Sequence, residues 1–94
     1  MKYTTRKGII LSEIAGEYTL IAAQALRKEV PYVTMINETG AFCWHLLEEG
    51  IGKEELCTKL IEEFDIEEGH DVKQDVDALL DYLKSHNYIE EVTE

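Results

Sequence analysis

Two cysteines and three histidines are the side chains in this sequence that are most typical of zinc ligands and catalytic nucleophiles or bases. Cys43 and Cys57 lie 14 positions apart, outside the Cys-x-x-Cys and Cys/His spacings of zinc sites. His45, His70 and His86 are far apart, and no two of them have the four-residue spacing of paired ligands on a helix. Both cysteines fall on apolar stripes, so we interpret them as reduced core thiols and expect no metal site.

No other combination of residue types predicts catalysis. The sequence has no legible Ser/His/Asp arrangement and no glycine-rich phosphate loop. It also has no carboxylate pair that stands out from its acidic background. We therefore expect a protein that has no catalytic residue, binds no cofactor and is not an enzyme.

The charge of the chain is strongly acidic and unevenly distributed. Nine basic and 20 acidic residues give a formal net charge of −11 at pH 7. Residues 37–94 hold 17 of the acidic residues and only four basic ones. Because nucleic-acid binding takes most of its affinity from Lys and Arg at phosphates, this balance favours a protein or peptide partner over nucleic acid.

The length and apolar pattern favour one soluble domain. The chain has 94 residues, 45% of them hydrophobic and 31% charged, which is typical of a globular protein. No apolar run approaches the ~20 residues of a membrane span, and no secretory apolar block follows the first residues. We expect a single domain over residues 1–94, located in the cytoplasm and not at a membrane.

The elements that would position a binding surface begin with three strands. Apolar runs at residues 9–15 and 17–23 flank Gly16, and this pattern predicts a hairpin. A third run at residues 30–36 is rich in β-branched and aromatic side chains, which are typical of a strand.

Three helices follow the strands in the predicted order. Asn37 is a good N-cap for the first helix, and Gly50 supplies its left-handed end. Residues 53–64 have a clean amphipathic stripe, and Asp71 with Gln74 forms a capping-box pattern at the start of the third helix. The order predicts an α+β fold in which three helices cover one face of a three-stranded antiparallel sheet.

The third predicted strand is unusual because it has no charged residue and is apolar on both faces. Tyr32 and Ile36 alternate with Val33 and Met35, and Pro31 protects only the beginning of the strand. Natural sheets usually protect an exposed edge along its length. An unprotected edge beside an apolar helix flank is what β-augmentation requires, in which a guest peptide pairs with the edge as an added strand.

Two other interpretations explain the same apolar strand. It could lie in the centre of the sheet, covered on both faces. It could also pair with its own copy in a homodimer. The pattern alone leaves these alternatives open.

Several segments together resemble a known protein family. Residues 35–48 read Met-Ile-Asn-Glu-Thr-Gly-Ala-Phe-Cys-Trp-His-Leu-Leu-Glu, and residues 75–83 read Asp-Val-Asp-Ala-Leu-Leu-Asp-Tyr-Leu. Shorter supporting segments lie at residues 16–20, 54–56 and 64–66. In this order they resemble the pyrroloquinoline-quinone synthesis protein D (PqqD-like) family over roughly residues 9–90.

The resemblance implies a fold similar to a winged helix-turn-helix and a non-catalytic role. Proteins of this family hold the leader segment of a ribosomally made precursor peptide as an added strand. They present it to a modifying enzyme, often a radical S-adenosylmethionine enzyme or a leader protease. The implied partners of this chain are therefore a precursor peptide and such an enzyme.

The resemblance also implies roles for individual residues. Asn37, Thr39 and Trp44 match its most specific segment, and their expected role is capping and packing. The peptide-binding residues are expected on the edge of the third strand and on a wall formed by the third helix. They are Tyr32, Val33, Thr34, Met35, Val76, Leu80 and Leu83.

A winged-helix transcriptional regulator and a structural subunit that dimerises through the third strand are the competing hypotheses. The helix order is compatible with the regulator, but residues 53–64 carry two lysines against four glutamates. A basic recognition helix is therefore missing. The sequence leaves open whether the protein is a monomer or a homodimer.

Overall fold

Two antiparallel sheets and three helices make up the parts of the chain described by the computed structural model, residues 1–31, 33–64, 66 and 71–92. The strands are β1 (Lys2–Thr5), β2 (Ile9–Ile14), β3 (Glu17–Ala22), β4 (Val33–Ile36) and β5 (Ile89–Val92). The helices are α1 (Glu38–Glu49), α2 (Lys53–Glu63) and α3 (Val72–Ser85), and a short 3-10 helix (Gln24–Leu26) joins β3 to β4.

The larger sheet has the strand order β2-β3-β4 and contains the predicted hairpin. The turn between β2 and β3 is formed by Ala15 and Gly16, with φ angles of 52° and 81°. Two positive φ angles in a two-residue turn match the twist of paired strands. In the register, Ile21 of β3 lies opposite both Ile10 of β2 and Val33 of β4.

The core lies between one face of this sheet and the three helices, as the sequence predicts. Leu20 and Ala22 of β3 are buried against the helices. The helices contribute buried side chains from each of their apolar stripes, including Cys43, Leu47, Leu56, Leu60, Val76, Leu80 and Leu83. The α+β prediction, with a three-stranded antiparallel sheet followed by three helices, is confirmed.

The helix ends also agree with the sequence. Asn37 Oδ1 accepts a hydrogen bond of 2.8 Å from the Gly40 backbone N–H, and Gly50 ends α1 with a φ of 87°. Asp71 Oδ1 accepts one of 3.0 Å from the Gln74 N–H at the start of α3. These side chains satisfy backbone donors that a helix leaves unpaired in its first turn.

A second sheet, which the sequence pattern does not predict, joins the two ends of the described chain. β1 and β5 pair antiparallel, with Tyr3 opposite Glu91. The residues after α3 form β5, which begins at Ile89. No helix in the described ranges is long and apolar enough to cross a membrane.

Candidate functional site

β4 is an edge strand of the larger sheet. It pairs with β3 on one side, and no strand of the described residues pairs with its other side. Along a strand, backbone N–H and C=O groups alternate in direction, so this edge presents hydrogen-bonding groups that the sheet does not use. β4 carries no charged side chain, whereas β2 at the opposite edge carries Glu13.

The predicted edge residues point to both faces of the sheet. Val33 and Met35 are each 65% exposed and lie on the sheet face that points away from the helices, opposite Ile21 and Thr19. Thr34 is only 8% exposed and lies opposite the buried Leu20, on the helix side. The prediction for Tyr32 lies outside the described residues.

Thr34 is fixed by a contact with the residue that precedes β5. The Thr34 Oγ1 and the Tyr88 hydroxyl oxygen are 2.6 Å apart, and both side chains are buried. A buried hydroxyl pair of this kind satisfies two groups that would otherwise be costly to remove from water. The bond therefore ties the middle of β4 to the end of α3.

The predicted wall residues of α3 are core residues. Val76, Leu80 and Leu83 are 1–2% exposed and belong to the main core cluster. They therefore hold α3 against the core and have almost no surface for a ligand, although Val76 also borders a cavity described below. The periodicity identifies this stripe as apolar, and the densest apolar stripe of a helix is the one that the core covers.

The accessible flank of α3 consists of the next residues around the helix. Asp75, Leu79, Tyr82 and His86 follow one another at spacings of four, three and four, which places them along one side of a helix. The Tyr82 and His86 rings stack at 4.1 Å between centroids, and the His86 and Tyr88 rings are 6.4 Å apart. Since Tyr88 also contacts Thr34, the His86 end of this flank lies near the middle of β4.

A pocket opens between this flank and the start of α1. It has a volume of about 310 Å³ and we call it the helix-side pocket. It is lined by Asn37, Thr39, Gly40, Cys43, Leu60, Asp75, Val76 and Leu79. A Cβ atom on Gly40 would lie 3.2 Å from Ile36 Cβ, so glycine allows the close approach of α1 to the end of β4.

A second pocket lies at the beginning of β4. It has a volume of about 330 Å³, and we call it the outer pocket because Ile21 and Val33 of the exposed sheet face line it. The remaining lining residues are Ala22, Arg27, Val30 and Pro31. The two pockets thus lie at opposite ends of β4.

Neither cysteine has the low pKa of a reactive thiol. Burial, with a smaller effect of the nearby Cys57, raises the pKa of the Cys43 thiol to about 11, so that thiol is protonated at neutral pH. Both cysteines are free, and the pKa of Cys57 is also raised. No group of three or more His, Cys, Asp and Glu side chains within the described ranges could hold a metal ion, and His70 lies outside those ranges.

Residues 25–89 match the family model described as coenzyme PQQ synthesis protein D (PqqD). The chain belongs to the PqqD family. The matched segment contains β4 and the three helices. The PqqD-like resemblance identified in the sequence is therefore confirmed over these elements.

Two solved structures share the fold of this PqqD family member. TbiB1 in complex with the TbiA(beta) leader peptide is 21% identical, with a TM-score of 0.72, and the match covers 97% of this chain and 99% of TbiB1. Lasso peptide synthetase B1 complexed with the leader peptide is 19% identical, with a TM-score of 0.71, covering 95% and 98% of the two chains. No curated protein matches the sequence significantly.

Proposed function

We propose that this protein binds the leader segment of a ribosomally synthesised precursor peptide as an added strand along β4. It then presents that peptide to a separate modifying enzyme, and it does no chemistry itself. The observation that carries the proposal is the outer edge of β4, which has no charged side chain and pairs with no strand of the described residues. The fold is shared with two proteins whose structures were solved with leader peptides. Main-chain hydrogen bonds give such a complex affinity, and pockets for side chains give it specificity.

The residues of the proposed site have distinct roles. The backbone that pairs with the leader belongs to the predicted edge residues, Tyr32, Val33, Thr34 and Met35. Val76 contributes to the floor of the groove, and the wall is extended to Leu79 and Tyr82, which are accessible on the α3 flank. Leu80 and Leu83 support the wall by holding α3 to the core.

The partner enzyme is proposed by class only. A radical S-adenosylmethionine enzyme or a leader protease would act on the bound precursor, as expected for the family. The raised thiol pKa of Cys43 supports a protein that leaves the chemistry to its partner, because a protonated, buried thiol is a poor nucleophile.

The two competing functions have less physical support. A winged-helix regulator needs a basic helix at the DNA backbone, but α2 carries Glu54, Glu55, Glu62 and Glu63. Its Lys53 is already engaged, with Nζ 2.5 Å from Asp77 Oδ1. For the dimerising subunit, sedimentation of the free protein gives the test, since a stable dimer without peptide would occupy β4 in advance.

Calorimetric titration with a leader peptide tests the proposal. The probe is the leader half of a precursor encoded beside the gene, and its scrambled version is the control. A protein with Val33→Lys and Met35→Lys should bind at least about tenfold more weakly, because lysines discourage strand pairing at an edge. The matched control is Ile10→Lys with Ile14→Lys, which changes two exposed residues of the same sheet face on the opposite edge strand.

Selective binding that only the β4 variant weakens would support the proposal. Equal loss in both variants would indicate a contact with the sheet face rather than with the β4 edge. No selective binding by a folded protein would contradict leader recognition.

A further inference from the structure

The face of the larger sheet that points away from the helices, which we call the outer face, is apolar on all three strands. β2 contributes Ile10 and Ile14, which are 55% and 73% exposed, and β4 contributes Val33 and Met35. Ile21 of β3 lies between Ile10 and Val33 in the register, so one apolar row crosses the whole sheet. A contiguous exposed patch of this kind is typical of a surface that another protein covers.

The two ends of the outer face carry opposite charges. Glu17, which is the partner of Ile14 in the register, lies on this face beside the turn between β2 and β3. Arg27 lies at the other end, where it lines the outer pocket with Ile21 and Val33. Glu17 and Ile21 are four residues apart on β3, which corresponds to about 14 Å along the strand. The outer face therefore has an acidic end and a basic end with apolar residues between them.

This charge pattern is complementary to itself. In a two-fold dimer the same surface of both copies meets. If the strands of two facing sheets run in opposite directions, Glu17 of each copy lies near the partner's Arg27, and Ile14 lies over the partner's Ile10. If the strands run in the same direction, the two Glu17 carboxylates approach each other, which is unfavourable.

The distribution of charge over the whole chain favours contact through the same surface. Residues 37–94 hold 17 of the 20 acidic residues, which leaves three acidic and five basic residues in positions 1–36. All three strands of the larger sheet belong to positions 1–36. Two copies that met through their helices would bring strongly negative surfaces together, whereas contact through the outer faces avoids this repulsion.

We infer that this protein self-associates through its outer faces into a two-fold dimer in which the strands of the two sheets run in opposite directions. Sheets packed face to face lie about 10 Å apart and bury the side chains between them. Three short strands give a face smaller than a standard protein interface, so we expect a weak dimer that forms at high micromolar concentration. Face-to-face packing uses side chains and not the backbone edge of β4, so the inference does not depend on the proposed function.

Sedimentation equilibrium of the full chain, from micromolar to millimolar concentration, tests this inference. The average mass of the native protein should rise towards twice the mass of one chain. Ile10→Lys places a charge in the apolar row and should weaken the association at least about tenfold. Ile61→Lys, at an exposed apolar residue of α2, is the matched control and should leave the association unchanged. Thermal unfolding checks that both variants fold.

Exchange of the charges at the two ends tests the orientation of the copies. Glu17→Arg alone, or Arg27→Glu alone, replaces two attractions in the dimer by two repulsions and should weaken it about tenfold. The variant with both exchanges should regain the native affinity, because opposite charges face each other again. Since the two residues lie at opposite ends of the outer face of one copy, such recovery is specific to a contact between copies.

The outcomes also separate this dimer from pairing through the β4 edge. Ile10 belongs to β2, at the opposite edge of the sheet. An association unaffected by Ile10→Lys would overturn the inference and indicate pairing at the β4 edge. The mass of one chain at every concentration would also overturn it and leave the outer face to a different protein. An absence of recovery in the double exchange would overturn the orientation. None of these results bears on leader binding, which the calorimetric titration tests separately.

Discussion

The hydroxyl oxygens of Tyr88 and Thr34 lie 2.6 Å apart although 54 positions separate the two residues in the sequence. The pair is buried, and it connects the segment after α3 to the centre of the proposed binding strand. A peptide that adds to β4 would therefore pair with a strand that Tyr88, just after α3, holds in place from the helix side.

Removing the Tyr88 hydroxyl tests the value of this connection. Tyr88→Phe should lower the free energy of unfolding by about 1–2 kcal/mol, because it leaves the Thr34 hydroxyl buried without its partner. Urea denaturation measures the change. The double variant Tyr88→Phe with Thr34→Val should recover much of the loss, since both polar groups are then gone. Equal stability of the single variant and the native protein would contradict this role.

Methylating the peptide backbone tests whether the leader binds as a strand. In a paired strand only alternate N–H groups face the partner, so N-methylation should weaken binding at every second residue. Fluorescence anisotropy with a series of singly methylated leader peptides gives the pattern. Uniform loss at all positions, or none, would show that the peptide binds in another conformation.

Tyr82 provides a test of the wall on α3. Tyr82 is 43% exposed, so Tyr82→Ala should leave the free energy of unfolding within about 0.5 kcal/mol of the native value. Leader affinity should fall about tenfold because an aromatic contact is lost. Ile61→Ala, at an exposed apolar residue of α2, is the matched control and should not change affinity. An equal effect in the two variants would exclude Tyr82 from the site.

Gly40 should be intolerant of a side chain although it lies inside a helix. Alanine normally stabilises a helix relative to glycine by about 1 kcal/mol. Here the added Cβ would lie 3.2 Å from Ile36 Cβ and 3.3 Å from Asn37 Oδ1. We expect Gly40→Ala to lower the free energy of unfolding by about 1 kcal/mol, and Gly40→Ser to lower it further. Increased stability of the alanine variant, measured by urea denaturation, would show that β4 can move away from α1.

The pKa of Cys43 predicts a pH dependence of stability. Burial raises this pKa from 9.0 to about 11, so the unfolded chain loses the thiol proton first. Stability should therefore be unaffected by this group below pH 9 and fall as the pH rises from 9 towards 11. Urea midpoints over that range should fall more steeply for the native protein than for Cys43→Ala. Parallel curves would exclude Cys43 as the cause.

The sequence predicts local features of the fold better than contacts between distant segments. Asn37, Gly50 and Asp71 are recognisable as helix ends because each satisfies backbone groups within its own turn. The pairing of Tyr3 with Glu91 joins segments 88 positions apart, and neither segment has an apolar pattern that would indicate a strand. Pairing over such a distance is decided by the rest of the fold.

The candidate site divides in the same way. An uncharged third strand can be read from residue types, and the structure places it at an edge. For the wall, periodicity identifies the apolar stripe of Val76, Leu80 and Leu83 but not which neighbours cover it, and the structure places that stripe in the core. The spacings of four, three and four from Asp75 to His86 were the sequence signal for the accessible flank of α3. A sequence pattern does not show which other elements lie near such a flank.

The pairing of β1 with β5 places the ends of the described chain side by side. Lys2 and Val92 are partners in the register, so their Cα atoms are about 5 Å apart. A linker of a few residues can therefore join them into a circle, and the circle can be opened at the turn of Ala15 and Gly16. Such a circular permutant would keep β4 and α3 on one uninterrupted segment, and it could be inserted into a surface loop of another protein as a portable module that carries the proposed leader-binding strand.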